Sequence, residues 1–469
     1  MLRKLRIVLA TLFFVGITLL FVGFGHNYWG WMAKLQFLPS LLALNFIVVF
    51  GVLLLTLLAG RVYCSVICPM GIFQDLVIWL HRKGSKLFKK RTLRFQFRTE
   101  NRKVRFIVLL LSVASIAVSC QLFIALIAPY SAYGRIVRSV AAIGSDSMTP
   151  SLLITGLLTL VIISVCAWIW GRDYCNTICP VGTILSLFSR FSLFRPVIDE
   201  SKCINCGKCA RGCKSGCIDF KAHKIDYSRC VDCFDCIEAC GENALKYVNV
   251  KGIRTAASRA DESVDQGRRA FMVTSAIVAT QAAVHAQDHM HGGMAQVIDK
   301  IVPERSERLV PPGAGSVKSF HDHCTACQLC VSACPNHVLR PSSDLGHFLQ
   351  PVMEYDKGYC RPECNACSQV CPAGAIKPVT VEQKMAVRIG VAHVNLDLCL
   401  PATGKDSCGN CAYHCPSGAI RMVRQSGSRM QIPTVSEDRC IGCGACENLC
   451  PSRPISAITV NGLSIHHNA

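Results

Sequence analysis

Four long apolar runs fill the first part of the chain, roughly Leu5–Gly25, Leu38–Ala59, Phe106–Ala128 and Leu152–Trp170. Each has about the 20 residues that a helix needs to cross a bilayer. The polar stretches between them carry charge unevenly. Arg3, Lys4 and Arg6 open the chain, and eleven Lys/Arg with one acid, Glu100, fill the stretch from Arg82 to Arg105. The loops after the first and third runs are poor in charge. Basic loops stay on the cytoplasmic side, so the pattern predicts four spans, with the N-terminus and residues 171–265 cytoplasmic. The first run is long and closes on no small-residue cleavage site, so it is expected to stay as an anchor. Beyond Trp170 the apolar pattern gives way to short polar segments punctuated by cysteine.

The membrane part is an internal repeat. Gly60-Arg61-Val-Tyr63-Cys64-Ser-Val-Ile-Cys68-Pro69-Met-Gly71 recurs 111 residues later as Gly171-Arg172-Asp-Tyr174-Cys175-Asn-Thr-Ile-Cys179-Pro180-Val-Gly182. Each copy ends a helical hairpin, and a pseudo-symmetric pair of hairpins should bring the two C-x3-C-P elements together. The C-x3-C spacing fits one face of a helix. Cys64, Cys68, Cys175 and Cys179 are candidate redox thiols, a metal site or packing residues; the spacing alone does not choose. His26, Tyr28, Trp29 and Trp31 should lie at the outer end of the first hairpin, and Pro129, Tyr130, Tyr133 and Arg135 at that of the second. An aromatic interface belt is the ordinary reading. One wall of a quinol pocket is the sharper one, with His26 as the proton acceptor.

The chain has 31 cysteines, and most fall in six ladders. Cys203, Cys206, Cys209, Cys213 and Cys230, Cys233, Cys236, Cys240 form a C-x2-C-x2-C-x3-C pair. Cys324, Cys327, Cys330, Cys334; Cys360, Cys364, Cys367, Cys371; Cys399, Cys408, Cys411, Cys415; and Cys440, Cys443, Cys446, Cys450 follow, the middle two with stretched first gaps. In each ladder three thiolates can hold three corners of a cubane while the fourth ligates a neighbouring cluster. That gives six [4Fe–4S] clusters on 24 iron-ligating cysteines. One of the first two is expected on Cys203, Cys206, Cys209 and Cys240, and the other on Cys230, Cys233, Cys236 and Cys213. Zinc has no use for the third C-x2-C step, and a disulfide framework suits a short secreted chain. Cys217 stands where a later ladder has Ala419 and reads as a spare thiol, with a swapped ligand as the alternative. Cys120 and Cys166 read as small core residues. Gly374-Ala375-Ile376 and Gly418-Ala419-Ile420 suggest a short strand after their ladders.

These features divide the chain into a four-span membrane domain (1–195), an α+β bacterial-ferredoxin-like two-cluster domain (196–250), a linker (251–320) and a four-cluster polyferredoxin domain (321–469). Arg268-Arg269, the apolar run to Ala286 and its small-residue end look like an internal twin-arginine export signal, which places residues 287–469 in the periplasm. His285, His289 and His291 read as a solvated segment, and Pro303, Pro311, Pro312, Gly313 and Gly315 as further linker. The net charge of +20 is concentrated in the basic loop, so it speaks for a membrane and against nucleic acid. No Walker A loop, dinucleotide fingerprint or Ser/His/Asp constellation is present.

Residues 1 to about 250 resemble the NapH family, the membrane iron–sulfur components linked to periplasmic nitrate reductase. The resemblance rests on the spans, the repeated Gly-Arg-x-Tyr-Cys-x3-Cys-Pro and the double ladder. Residues 265 to 465 resemble the NapG family of exported four-cluster ferredoxins, and the MauN and MauM pair of methylamine utilisation is similar. The resemblance departs at Cys213 and Cys240, which lack the following Pro, and in joining both halves in one chain. It implies an inner-membrane quinol dehydrogenase component that passes electrons from the quinone pool to a periplasmic reductase or its cytochrome subunit. It also implies that the last four ladders pair first with fourth and second with third. The rival is an assembly factor whose C-x3-C-P thiols reduce a metal ion or disulfide while another enzyme matures.

Overall fold

The computed structural model describes residues 2–87, 95–118, 121–143, 149–249, 300–424 and 430–468. The twin-arginine segment, its cleavage-like end, His285, His289, His291 and Cys120 lie outside them. In chain order the helices of the first part are α1 (Leu2–Val22), α2 (His26–Lys34), α3 (Phe37–Leu42), α4 (Phe46–Ala59), α5 (Val62–Val66), α6 (Pro69–Leu87), α7 (Arg102–Ala117), α8 (Leu122–Ile127), α9 (Pro129–Ala141), α10 (Pro150–Trp170) and α11 (Pro180–Ser189).

Only two of the four expected spans are single helices. Among the described residues, α1 and α10 are the two long and apolar enough to cross a membrane. The second apolar run breaks between α3 and α4, where Leu44 takes a positive φ and the Asn45 side chain accepts the Val48 amide as an N-cap. The third splits into α7 and α8, and Gln121 at the break donates to the Asp322 carbonyl at 2.7 Å. Hydropathy sees neither break, because both fall inside apolar composition.

The four apolar helices α1, α4, α7 and α10 run alternately between the same two ends. At one end Arg3 pairs with Asp235 and Glu238, and α4 and α10 stop at Gly60 and Gly171. A Cβ on Gly60 would lie 2.2 Å from the Asp232 carboxylate, and one on Gly171 would lie 2.3 Å from the Lys214 carbonyl. Both glycines have positive φ, so the sequence has the one residue that fits there twice over. At the other end Ser332 Oγ donates to the Leu20 carbonyl at 3.1 Å. The 21 residues of α1 span about 31 Å, and this helix separates the two ferredoxin units. The outward faces are apolar: Ile47, Leu110 and Ile154 are 86%, 70% and 65% exposed.

Each ferredoxin unit is α+β with small two-stranded antiparallel sheets, as expected. In the first, β1 (Phe194–Ile198) pairs with β4 (Leu245–Asn249) and β2 (Ile218–Asp219) with β3 (Lys224–Ile225). In the second, β5 (Leu339–Pro341) pairs with β6 (Pro351–Met353), β7 (Val387–Val394) with β10 (Ile458–Asn468), and β8 (Ile420–Arg424) with β9 (Gln431–Val435). Ile420 does begin a strand, but 374–376 form a turn, because their amides serve the Cys371 sulfur instead of a partner strand. Residues 300–320 are not linker. Leu309 and Val310 are buried, Arg305 pairs with Glu447, and the Gly313 carbonyl accepts from Lys377. Pro and Gly there shape a packed strap on the second unit.

Each half of the repeat closes tightly on itself at Gly71 and Gly182, whose added Cβ atoms would lie 2.2 Å from the Cys64 carbonyl and 2.0 Å from the Cys175 carbonyl, with the arginine of the other half, Arg172 or Arg61, 3.4 Å and 2.9 Å away. Overpacking of this kind costs about 1–3 kcal/mol. Gly71→Ala and Gly182→Ala should each lower the thermal midpoint of the detergent-solubilised chain, whereas Gly51→Ala, with nothing within 4 Å, should not.

Candidate iron–sulfur sites and the buried thiols

The ladder thiols assemble in fours. Cys203, Cys206, Cys209 and Cys240 line one cavity, and Cys213, Cys230, Cys233 and Cys236 line a second. Both sets are those the spacing predicts. Cys217 joins the second set: its sulfur lies 3.5 Å from that of Cys213 and bonds that of Cys230. The spare thiol therefore sits inside the site. Only its parallel with Ala419, a position fully buried beside the next ladder, hinted at this.

The remaining four ladders pair differently from the implied order. Cys330 has Cys324, Cys327 and Cys371 as its electrostatic neighbours, and Cys367 has Cys360, Cys364 and Cys334. Cys446 faces Cys443, Cys440 and Cys415, and Cys399, Cys408, Cys411 and Cys450 line a common cavity. Ladders therefore pair first with second and third with fourth. The two pairs meet where the Cys360 amide donates to the Cys443 carbonyl at 2.9 Å.

The local backbone explains how short loops wrap each set. In the four regular ladders the residues on either side of the second thiol have positive φ: Asn205 and Gly207, Asp232 and Phe234, Ala326 and Gln328, Gly442 and Gly444. Such turns aim successive amides into one concavity. Amides of Leu329 and Ala445 reach the sulfurs of Cys327 and Cys443, and four amides from Ala373 to Ile376 reach Cys371. In the stretched ladders Asn365 and Gly409 keep negative φ, since the longer gap closes without a tight turn. Among the described residues no three His, Cys, Asp or Glu groups close on a single ion. Three thiols from one short loop and a fourth from a neighbouring loop, held around a cavity, fit a cubane. Burial pushes the thiols of Cys233, Cys327 and Cys443 up to about 12, so loading iron must displace their protons.

The C-x3-C-P thiols do converge, though not on one helical face. Cys64 lies on α5 and Cys175 on a π-turn, Tyr174–Ile178, while Cys68 and Cys179 precede the prolines that open α6 and α11. Cys179 Sγ accepts the Gly182 amide at 3.4 Å as an N-cap. All four thiols are buried. Arginines cross between the repeats: Arg61 Nη2 donates to the Cys175 carbonyl at 3.2 Å, and Arg172 Nη1 to the Cys64 carbonyl at 2.9 Å.

Asp75 joins this group, although no motif contains it. It accepts from Arg172 Nε at 2.8 Å, pairs with Arg6 and lies 3.3 Å from Lys214 Nζ. Burial raises its pKa, but Arg172, Lys214 and Arg6 together outweigh burial and hold it well below the usual carboxylate range. One sequence signal marks it: Asp75 is the only acid before Glu100. The outer aromatic group divides. Tyr28 and Trp31 are exposed, as a belt requires, but Tyr130, Tyr133 and Arg135 are buried. Arg135 bonds the Ala125 and Leu126 carbonyls, and Tyr130 packs on Phe21 at 5.2 Å between ring centroids. His26 lies against the Ser332 backbone.

Family models for 4Fe-4S domains match along the ladders. A 4Fe-4S dicluster domain matches residues 323–375, which enclose the first pair of these ladders, and again 406–453, which hold the second pair except Cys399. A further 4Fe-4S dicluster match covers 226–338, and 4Fe-4S binding domains match 196–219 and, in the repeat, 41–87 and 152–198. The ferredoxin-type protein NapF of Escherichia coli K12 is 33% identical over 162 residues, 34% of this chain and 89% of NapF. MauM, a methylamine utilization ferredoxin-type protein of Methylophilus methylotrophus, is 32% identical over 33% of this chain and 71% of its own length. NapG of Escherichia coli K12 is 34% identical over 30% of this chain and 66% of NapG. The chain belongs to the ferredoxin-type iron–sulfur proteins. Electron transfer of the ferredoxin type follows from that membership.

Two outcomes test the site. In this ferredoxin-type protein Cys371→Ser should perturb the low-temperature EPR signal of the set holding Cys324, and leave that of the set holding Cys360. Asp75→Asn should destabilise the chain by about 3–5 kcal/mol, because it leaves buried cations unpaired. The Asp75 stabilisation is full above its unfolded pKa near 3.9 and is lost as pH falls towards the depressed folded value, so the gap between parent and variant should narrow below about pH 4 in a pH series of unfolding curves.

Proposed function

We propose that this ferredoxin-type protein is an inner-membrane electron carrier that takes electrons from quinol and delivers them to a periplasmic reductase, nitrate reductase or its cytochrome subunit being the preferred acceptor. The observation that carries the reading is α1, which joins a two-set unit to a four-set unit about 31 Å apart through a bundle with apolar outer faces. Exposed apolar surface on this scale marks a membrane or partner surface. The alternation of α1, α4, α7 and α10 and the basic loop support an arrangement with the two-set unit cytoplasmic and the four-set unit periplasmic. The resemblance of the two halves to NapH and NapG supports a fusion of such a pair. Bound [4Fe–4S] clusters would each take and release single electrons. The chain's own part is to hold six sets in a row, shield them and position the donor. Quinol releases two electrons and two protons, and His26, beside Ser332 of the four-set unit, is the candidate acceptor of a proton at that end.

Anaerobic addition of a reduced quinol to the purified chain in detergent should bleach the iron–sulfur absorption and raise its EPR signals. No reduction with either a high- or a low-potential quinol would sink the reading. His26→Phe should slow that reduction about 100-fold, as loss of a positioned base does, with iron content unchanged.

A further inference from the structure

The two ferredoxin units are separated by the length of α1, and electron tunnelling falls exponentially with distance. Between them lie four thiols that the ladders do not use. We propose that Cys64, Cys68, Cys175 and Cys179 together hold a [2Fe–2S] centre, shared between the repeats, that relays single electrons between the two-set and four-set units. This inference rests on the ladders carrying clusters, and not on quinol as donor.

Three observations carry it. Each family match in the repeat contains only one C-x3-C-P element, and one element supplies half the thiols a cluster needs. The pseudo-symmetric pair supplies four, two from each half, each within the field of the others, which is the number a binuclear centre needs. Second, the surroundings are cationic. Arg61 is fully buried, yet its guanidinium takes only neutral oxygens, Asn176 Oδ1 at 2.9 Å and the Ser228 and Cys175 carbonyls, with Cys64 Sγ at 3.8 Å. The Asp232 carboxylate lies in its field but accepts the Arg61 backbone amide at 2.9 Å and not the guanidinium. A buried guanidinium without a direct ion pair is costly, and a four-thiolate iron centre would add negative charge beside it. Gln74 Nε2 adds a donor to Cys175 Sγ at 3.2 Å.

Third, side chains beside these thiols also lie beside ladder thiols on both sides. Arg172, whose backbone amide bonds the Lys214 carbonyl of the two-set unit, lies in the field of both Cys175 and Cys233. In the other direction Tyr63 lies in the field of Cys68 and Cys179, and Tyr130 in the field of Tyr63, Cys327 and Cys371. The transfer balances as single electrons. A reduced cluster on the Cys233 set loses one electron, one ferric iron on the thiols becomes ferrous, and that electron then reduces an oxidised cluster on the Cys327 set. No bond breaks and no proton moves.

Iron analysis and Mössbauer spectroscopy of the isotope-enriched full chain in detergent test this without quinol or acceptor. Two irons per chain beyond those of the six ladders, in an all-thiolate binuclear site, are expected. Cys64→Ser with Cys175→Ser should lose both, and Cys166→Ser neither, while the ladder EPR signals persist. In vesicles with the two-set unit outward, a membrane-impermeant reductant should reduce the enclosed four-set unit in the parent and fail to do so in the double variant. A parent chain without binuclear iron overturns the proposal even if the variant does not fold. Cluster-loaded ladders that do not respond to quinol would overturn the donor assignment alone.

Discussion

The crossed arginines govern the architecture. Arg61 and Arg172 each leave their own half of the repeat and bind the carbonyl of the first cysteine of the other half. Their backbone amides meanwhile bond the two-set unit, at Asp232 and at Lys214, beside ligands of the same cysteine set. Burying two guanidinium groups costs several kcal/mol each unless their donors are met. Meeting them requires both repeats and the ferredoxin unit together. Neither hairpin can satisfy its arginine alone, so the thiols are brought together by the same contacts that seat the unit above them.

Much of the site was legible because metal ligation is written locally. A C-x2-C-x2-C run suggests its own chemistry, and the ladder cysteines gather in groups as the spacing leads one to expect, with Cys217 added to one of them. Which fourth cysteine crosses to which set is a tertiary choice, and spacing within a ladder does not record it. The crossing at Cys371 and Cys450 emerges only when the ladders are packed. Apolar composition likewise found the helices and missed their breaks, since Leu44 and Gln121 sit among residues that would continue a span. Tyr130 and Tyr133 read as interface aromatics because aromatic rings serve both a bilayer surface and a protein core, and only packing against Phe21 and Phe14 decides. Asp75 escaped because its partners are 69 and 97 residues away.

The regular and stretched ladders solve one problem in two ways. Where the first gap is two residues, the chain accepts positive φ even at Phe234 and Gln328, at a cost of roughly 1 kcal/mol or more for each such residue. Where the gap is longer, ordinary φ suffices and the loop is correspondingly less tight. Strain is thus concentrated where amides must crowd towards a sulfur, which is also where hydrogen bonds bear on the reduction potential.

Ser332 and Gln121 dock the four-set unit on helices of its own chain. Such docking is first-order: it does not weaken when the protein is scarce, and rival carriers must compete against a permanently high local concentration. Each round of translation also delivers both units in equal number, so the cell has no subunit ratio to regulate.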